Sequence, residues 1–156
     1  MTTLTEGAPA PDFDLETDGG GRVRLSDLRG RNVVLYFYPK DDTSGCTAEA
    51  IAFTAQADAF AAANTVVIGA SKDSAKSHDK FKAKHALNVT LAADPDGGVV
   101  ESYGAWVEKS MYGRKYMGID RSTFLIDGQG DIKKIWRKVK VPGHADAVLK
   151  AAQALD

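Results

Sequence analysis

The order of elements in this sequence predicts an α/β fold: a mixed central sheet flanked by helices on both faces, with an N-terminal β-hairpin. Three observations carry that expectation. Val33–Tyr38 is a nearly continuous apolar run, as a central strand buried on both faces requires. Further strand-type runs then alternate with alanine-rich or amphipathic helical runs, and the chain closes on a helix. The 156 residues contain no repeat, low-complexity tract or linker-like stretch, so residues 1–156 are expected to form one domain. That length can bury a core without disulfide staples.

Each element has its own signal. Asp12–Leu15 and Arg22–Leu25 flank the turn-rich Thr17-Asp18-Gly19-Gly20-Gly21 and read as the leading hairpin. Val33–Tyr38 ends at Pro39, which cannot extend a ladder. Thr47–Ala63 is dense in alanine, with Ile51, Phe53, Ala57 and Phe60 near helical spacing, and predicts one helix. Thr65–Ala70 predicts a second strand, Ser74–His85 a helix anchored by Phe81, and Val89–Ala92 a short strand. Asp94-Pro95-Asp96-Gly97-Gly98 is turn chemistry opening a short helix that runs to Tyr103. Tyr103–Asp120 is rich in glycine and aromatics and reads as an irregular loop, a kind of segment that often carries function. Ser122–Ile126 and Ile132–Trp136 predict a hairpin around Asp127-Gly128-Gln129-Gly130, and Ala145–Leu155 predicts the closing amphipathic helix.

Composition narrows the function classes. Twenty basic residues stand against 21 acidic ones, a net charge of −1, which gives no electrostatic case for nucleic acid or a membrane surface. The first nine residues lack the basic and apolar regions of a signal peptide, and no window reaches the roughly 18 apolar residues that span a bilayer. A soluble cytoplasmic protein is expected. One cysteine permits no internal disulfide, no CxxC pair and no multi-cysteine zinc site, which fits a reducing compartment. His78, His85 and His144 fit no metal-ligand spacing and read as surface or helix-end residues.

That cysteine, Cys46, lies where the apolar strand run gives way to the alanine-rich helical run. A helix start carries unpartnered N–H groups and the positive end of the macrodipole, which favour a thiolate over a thiol. Thiolate is the nucleophilic form, and an unperturbed cysteine with a pKa of roughly 8.5 is mostly protonated at neutral pH. Thr43 is a plausible N-cap, placing Cys46 at the third helical position with its N–H near the threonine oxygen. Position alone leaves open a reactive thiol or a small apolar filler.

Pro39-x-x-x-Thr43-x-x-Cys46, followed by Arg121-Ser122-Thr123-Phe124-Leu125-Ile126-Asp127, resembles the peroxiredoxin family. Phe37-Tyr38-Pro39-Lys40-Asp41, Gly45-Cys46-Thr47-x-Glu49-Ala50, Met111-Tyr112-Gly113 and Tyr116-Met117-Gly118-Ile119 are similar to its bacterioferritin-comigratory-protein subfamily, also called peroxiredoxin Q. The likeness runs from Gly7 to the last helix. It implies a thioredoxin-like fold and a thiol peroxidase that reduces hydrogen peroxide and organic hydroperoxides without metal or prosthetic group. Cys46 would be the nucleophile that becomes a sulfenic acid. Arg121 would supply a permanent positive charge to the thiolate and to the peroxide oxygens. Thr43 offers a hydroxyl that can donate and accept as well as cap the helix, and Pro39 can wall the pocket as well as end the strand. Glu49 either joins a polar network that orients Arg121 or remains a solvated helix-start carboxylate. Tyr38, Trp106, Met111 and Tyr116 either line the pocket mouth or pack the loop, and carry no assigned chemistry.

The departures from that pattern matter as much. Many members of the subfamily have a second cysteine five residues after the first, where this chain has Ile51, and others have one in the helix that here spans Ser74–His85. Ser44 stands where proline is usual. Without a resolving cysteine, the resemblance implies a one-cysteine mechanism recycled by an external thiol such as thioredoxin, glutaredoxin or glutathione, in a monomer or weak homodimer. A redox sensor or holdase-like binding protein with little turnover is the alternative, and Thr43 with Arg121 argues against it. The missing second cysteine disfavours a dithiol oxidoreductase.

Overall fold

The computed structural model describes residues 4–155. Nine strands and five α-helices succeed one another as β1 (Asp14–Thr17), β2 (Arg22–Arg24), β3 (Asn32–Phe37), α1 (Ser44–Ala55), α2 (Ala57–Ala62), β4 (Thr65–Ser71), α3 (Ala75–His85), β5 (Thr90–Ala93), α4 (Gly98–Ser102), β6 (Trp106–Met111), β7 (Arg114–Ile119), β8 (Ser122–Ile126), β9 (Ile132–Trp136) and α5 (His144–Gln153). Seven strands form one sheet in the order β2-β1-β5-β4-β3-β8-β9. β3 and β4 run parallel, as do β4 and β5, whereas β8 pairs antiparallel with both β3 and β9. The mixed sheet and the leading hairpin, paired Leu15 to Val23, are as expected.

All six residues of β3 are buried, so alternate side chains feed two separate cores. Val33, Leu35 and Phe37 point to one face, where they meet Ile68, Phe124, Tyr103 and Val100 of α4. Val34 and Tyr36 point to the other, against Phe53 of α1, Phe60 of α2, Phe81 of α3 and Val148 of α5. Tyr36 stacks on Phe53 with ring centroids 4.7 Å apart. The β3–β4 register sets Gly69 beside Tyr36, and a Cβ there would lie 2.6 Å from the ring. Only glycine leaves the space.

Three expectations change. The helix predicted over Thr47–Ala63 begins earlier, at Ser44, and is broken at Gln56, which leaves helical backbone and donates its side-chain amide to Asp146 of α5 at 2.5 Å. The break turns Phe60 into the core. Tyr103–Asp120 is not irregular: β6 and β7 pair from Trp106–Ile119 to Met111–Arg114. Their two-residue turn, Tyr112-Gly113, has both residues at positive φ, 52° and 78°, the mirror-image geometry that suits a tight hairpin. Tyrosine rather than asparagine at its first position hides that turn from the sequence. Finally, His78 is fully buried rather than a surface residue, and His144, although it opens α5, is buried too. No helix among the described residues is long and apolar enough to cross a membrane.

His144 packs edge-on against Phe53 and Trp136, and its Nε2 shares a 2.8 Å hydrogen bond with Thr123 Oγ1. Burial, aided by the positive charge of Arg121, pushes its pKa down to about 4. A depressed histidine is neutral in the fold but takes up a proton on unfolding below about pH 6.5, so stability should fall as pH drops from there toward 4. Urea titrations at pH 7.5 and 5.0 should show wild type losing about 1–3 kcal/mol more than His144→Asn does. Equal losses would separate His144 from the acid limb.

Candidate active site

Antiparallel pairing of β8 with β3 matches Phe37 to Ser122, so the residue before β8 arrives where β3 ends and α1 is about to begin. Arg121 is that residue. Cys46 is the third residue of α1, and its Sγ accepts a hydrogen bond from Arg121 Nη2 at 3.4 Å across 75 residues of sequence. The thiol is 2 % exposed and lies against the Tyr36, Tyr38, Ala50 and Phe53 cluster. Helix start and guanidinium thus present positive charge to one sulfur.

Glu49, one turn after Cys46 on α1, is 1 % exposed, which excludes the solvated alternative. Its Oε1 accepts from Arg121 Nη1 at 2.8 Å. The guanidinium is therefore held as a fork, one nitrogen on the carboxylate and one on the sulfur. Glu49 Oε2 is buried and has no hydrogen-bond partner among the described residues. Burial raises the Glu49 pKa to about 7 against the opposing pull of Arg121. Burial also works against the charge on Arg121, but Glu49 and Cys46 outweigh it and hold the guanidinium firmly protonated.

Gly45 completes the arrangement and was not foreseen. A Cβ at that position would sit 3.1 Å from Arg121 Nη2, so the absent side chain is what lets the guanidinium reach the sulfur. Its place before Cys46 was visible in the sequence, but the partner that needs the room lies 76 residues away.

Thr43 is the N-cap residue in extended backbone, and its carbonyl starts the helix by accepting from Thr47 N at 2.8 Å. Its hydroxyl does not cap. It donates to Lys40 O at 2.9 Å instead, closing a tight return in the loop, so no threonine oxygen serves the Cys46 N–H. The hydroxyl is exposed and keeps its lone pairs. Pro39 stands in the same loop, exposed, just past Tyr38. The structure joins Cys46, Arg121 and Glu49 by direct contacts and places Thr43 and Pro39 on the segment leading into α1. Of the four residues named for the pocket mouth, Tyr38 is core, Trp106 packs on the core under the Lys72 ammonium, and Met111 and Tyr116 are exposed on the β6–β7 hairpin.

Replacing the Glu49 carboxylate with an amide separates orientation from charge. Because its folded pKa lies above the unfolded value, Glu49 favours the fold below about pH 4.5, and that contribution is lost as pH rises through 7. Glu49→Gln should therefore be as stable as wild type, or more so, at pH 8. Its Cys46 should react with hydrogen peroxide roughly tenfold more slowly for want of a charged anchor on Arg121. Stopped-flow rates paired with urea titrations at pH 8 check both halves. A variant much less stable at pH 8 would contradict the sign.

The geometry has clear counterparts. Residues 7–135 match the AhpC/TSA family model. The putative peroxiredoxin bcp of Coxiella burnetii is 51 % identical over 147 residues, 94 % of this chain and 97 % of that protein. Peroxiredoxin Bcp of Bacillus subtilis is 47 % identical, covering 95 % of this chain and 94 % of its own length. Among solved structures, a cysteine-to-serine mutant of Xylella fastidiosa PrxQ superposes with a TM-score of 0.93 at 38 % identity, over 99 % of this chain and 98 % of that one. Xanthomonas campestris peroxiredoxin Q gives 0.88 at 44 % identity, over 92 % and 90 %. A thioredoxin-like sheet, a helix-start cysteine with an arginine at hydrogen-bond distance, and relatives of this similarity over nearly the full length lead to one conclusion: the chain belongs to the AhpC/TSA family and is a peroxiredoxin of the Bcp or peroxiredoxin Q group, a thiol peroxidase.

Proposed function

We propose that Cys46 is the peroxidatic residue of a one-cysteine cycle that reduces hydrogen peroxide and organic hydroperoxides. The observation that carries this reading is the Arg121 fork, 3.4 Å from Cys46 Sγ and 2.8 Å from Glu49 Oε1. The Cys46 thiolate attacks one peroxide oxygen in line with the O–O bond. That bond breaks as the S–O bond forms, and the leaving hydroxide or alkoxide takes a proton to become water or alcohol. Cys46 is left as sulfenic acid. Arg121 cannot be deprotonated, so its charge is present for the thiolate and for the oxygens on which charge develops. Glu49 orients the guanidinium. Thr43 orients the peroxide through its free lone pairs, and Pro39, which lacks an N–H, shields the approach without solvating the thiolate. Organic hydroperoxides belong in the substrate class because the Xanthomonas campestris bacterioferritin comigratory protein, 44 % identical at TM-score 0.87, is described for alkyl peroxide reduction.

Recycling follows from the cysteine count. The chain holds one thiol, so the sulfenic acid condenses with an external thiol, releasing water and forming a mixed disulfide that a second thiol resolves. Thioredoxin, glutaredoxin or glutathione fits that role, in a cytoplasmic monomer or weak homodimer. The Arg121 guanidinium at hydrogen-bond distance from Cys46 Sγ supports turnover over the redox-sensor alternative.

Cys46→Ser should fold normally and lose peroxide reduction entirely. More than trace turnover in that variant would overturn the mechanism. Arg121→Ala should slow the second-order reaction with peroxide at least about a hundredfold, and Arg121→Lys should recover only part, because an ammonium keeps charge but not the fork. A wild-type rate in Arg121→Ala would remove Arg121 from the chemistry.

One equivalent of peroxide should convert the protein to a sulfenate that dimedone traps, and glutathione should restore the thiol through a mixed disulfide at Cys46. Intact-mass spectrometry reads both. A predominant covalent dimer at low protein concentration would make a second subunit the resolving partner and end the external-thiol model.

A further inference from the structure

Residues 38–43 join β3 to α1 and have no regular secondary structure of their own. Such a segment is as rigid as its side-chain tethers. Four of them converge on Asp41. Its Oδ1 accepts from the Tyr38 hydroxyl at 2.6 Å, and its Oδ2 accepts from Ser77 Oγ at 2.8 Å and lies 2.7 Å from His78 Nδ1. The Asp41 backbone N–H donates to Asp73 Oδ2 at 2.8 Å, and Asp73 is itself held by Ser71 Oγ at 2.7 Å. The next residue, Asp42, is in left-handed backbone (φ 61°) and reaches Lys84 and His85 of α3.

The histidine in this cluster is unusual in its surroundings. His78 has no exposed surface, and both ring nitrogens face acceptors: Nδ1 the Asp41 carboxylate and Nε2 the Ala92 carbonyl at 2.9 Å. A neutral imidazole has one donor and one acceptor nitrogen, so in either tautomer one lone pair would face another lone pair. With Asp41 ionised, as its lowered pKa requires at neutral pH, only the imidazolium satisfies both contacts. The charged and titratable groups that face it are Asp41 from the loop, Asp73 from the β4–α3 connection and the Tyr38 hydroxyl, 3.4 Å from Nδ1. None of them is cationic. Burial opposes the charge, but Asp41 outweighs it and the His78 pKa is raised. Burial likewise pushes the Asp41 carboxyl up, and the bonds from His78, Tyr38 and Ser77 bring it below its ordinary value.

We propose that His78 is a positioning residue for the peroxide pocket: an imidazolium clamped between the Asp41 carboxylate and the Ala92 carbonyl, which fixes residues 38–43 and so sets Pro39 and Thr43 over Cys46. The inference rests on the reading that those two residues meet the peroxide. Neither the Arg121–Cys46 contact nor the Arg121–Glu49 pair includes a member of the clamp; their residues lie on α1 and just before the start of β8. Loosening it should slow the peroxide reaction while leaving the sulfur as available to a reagent that needs no pocket.

The test compares two rates on the full-length reduced protein, that with hydrogen peroxide and that of Cys46 alkylation by iodoacetamide. Thiolate ionisation is common to both and cancels in their ratio. His78→Gln, whose donors sit on one nitrogen in place of two ring nitrogens aimed at separate acceptors, should lower the ratio about tenfold to a hundredfold, the cost of a small misplacement of orienting groups. An unchanged ratio, with both rates intact or both reduced alike, would overturn the proposal. Nitrogen-15 NMR of the wild-type imidazole at pH 7 gives an answer that does not depend on any variant folding: both His78 ring nitrogens should carry protons, and one bare nitrogen would overturn it. Asp41→Asn keeps the shape but removes the countercharge, so it should release the second proton and lower the ratio as His78→Gln does. Retention of both protons in that variant would also sink the clamp. Turnover by Cys46→Ser would sink the peroxidase reading instead, and would leave the NMR result untouched.

Discussion

One guanidinium, shared between a sulfur and a carboxylate, sets the terms for this structure. Arg121 must reach Cys46 at 3.4 Å and Glu49 at 2.8 Å from a different strand, and both targets lie on the first turns of one helix. The rest of the fold serves that meeting. Burial of all of β3 anchors the strand that α1 leaves, the β3–β8 ladder brings Arg121 to its end, and Gly45 clears the last few tenths of an ångström. The cost is a carboxylate buried with one oxygen unpartnered, and the charge of Arg121 offsets only part of it. A site that tolerates such a group at neutral pH places function above stability.

Two polar clusters near the start of α1 divide the work by element. Arg121, Glu49 and Cys46 hold charge next to the sulfur, on α1 and β8. Asp41, His78, Tyr38 and Asp73 hold the loop that enters α1, and they are anchored on α3 and its flanking strands. Tyr36, on β3, packs against Tyr38 of the second cluster with ring centroids 5.7 Å apart.

Much of this was legible in the sequence where one local signal settles one local choice. The apolar run of β3, the alanines of α1 and the position of Cys46 between them needed nothing from elsewhere in the chain. Thr43 was rightly placed at the N-cap, but its hydroxyl bonds Lys40, because a three-residue return brings that carbonyl closer than the helix amides. The β6–β7 hairpin was missed because its turn relies on Tyr112 adopting a conformation that tyrosine rarely takes. Long-range pairs were the real blind spot. Nothing near His78 announces Asp41, 37 residues earlier, and nothing near Gly45 announces the arm that it must admit. Burial of His78 follows from that pairing and not from its own neighbours in sequence.

The pairing of β3 with β8 works as a gauge as well as a support. Its five matched pairs run from Val33–Ile126 to Phe37–Ser122, and Arg121 is the next residue along. A strand advances about 3.4 Å per residue and turns its side chains over at each step, so a slip of one place would carry the guanidinium away from the sulfur and invert its direction. Leu35 and Phe124, paired in the middle of that ladder, therefore help to set the distance between Arg121 and Cys46. Substitutions that ease such a slip would part Arg121 from Cys46 from inside the core while every residue of the candidate site remained in the sequence.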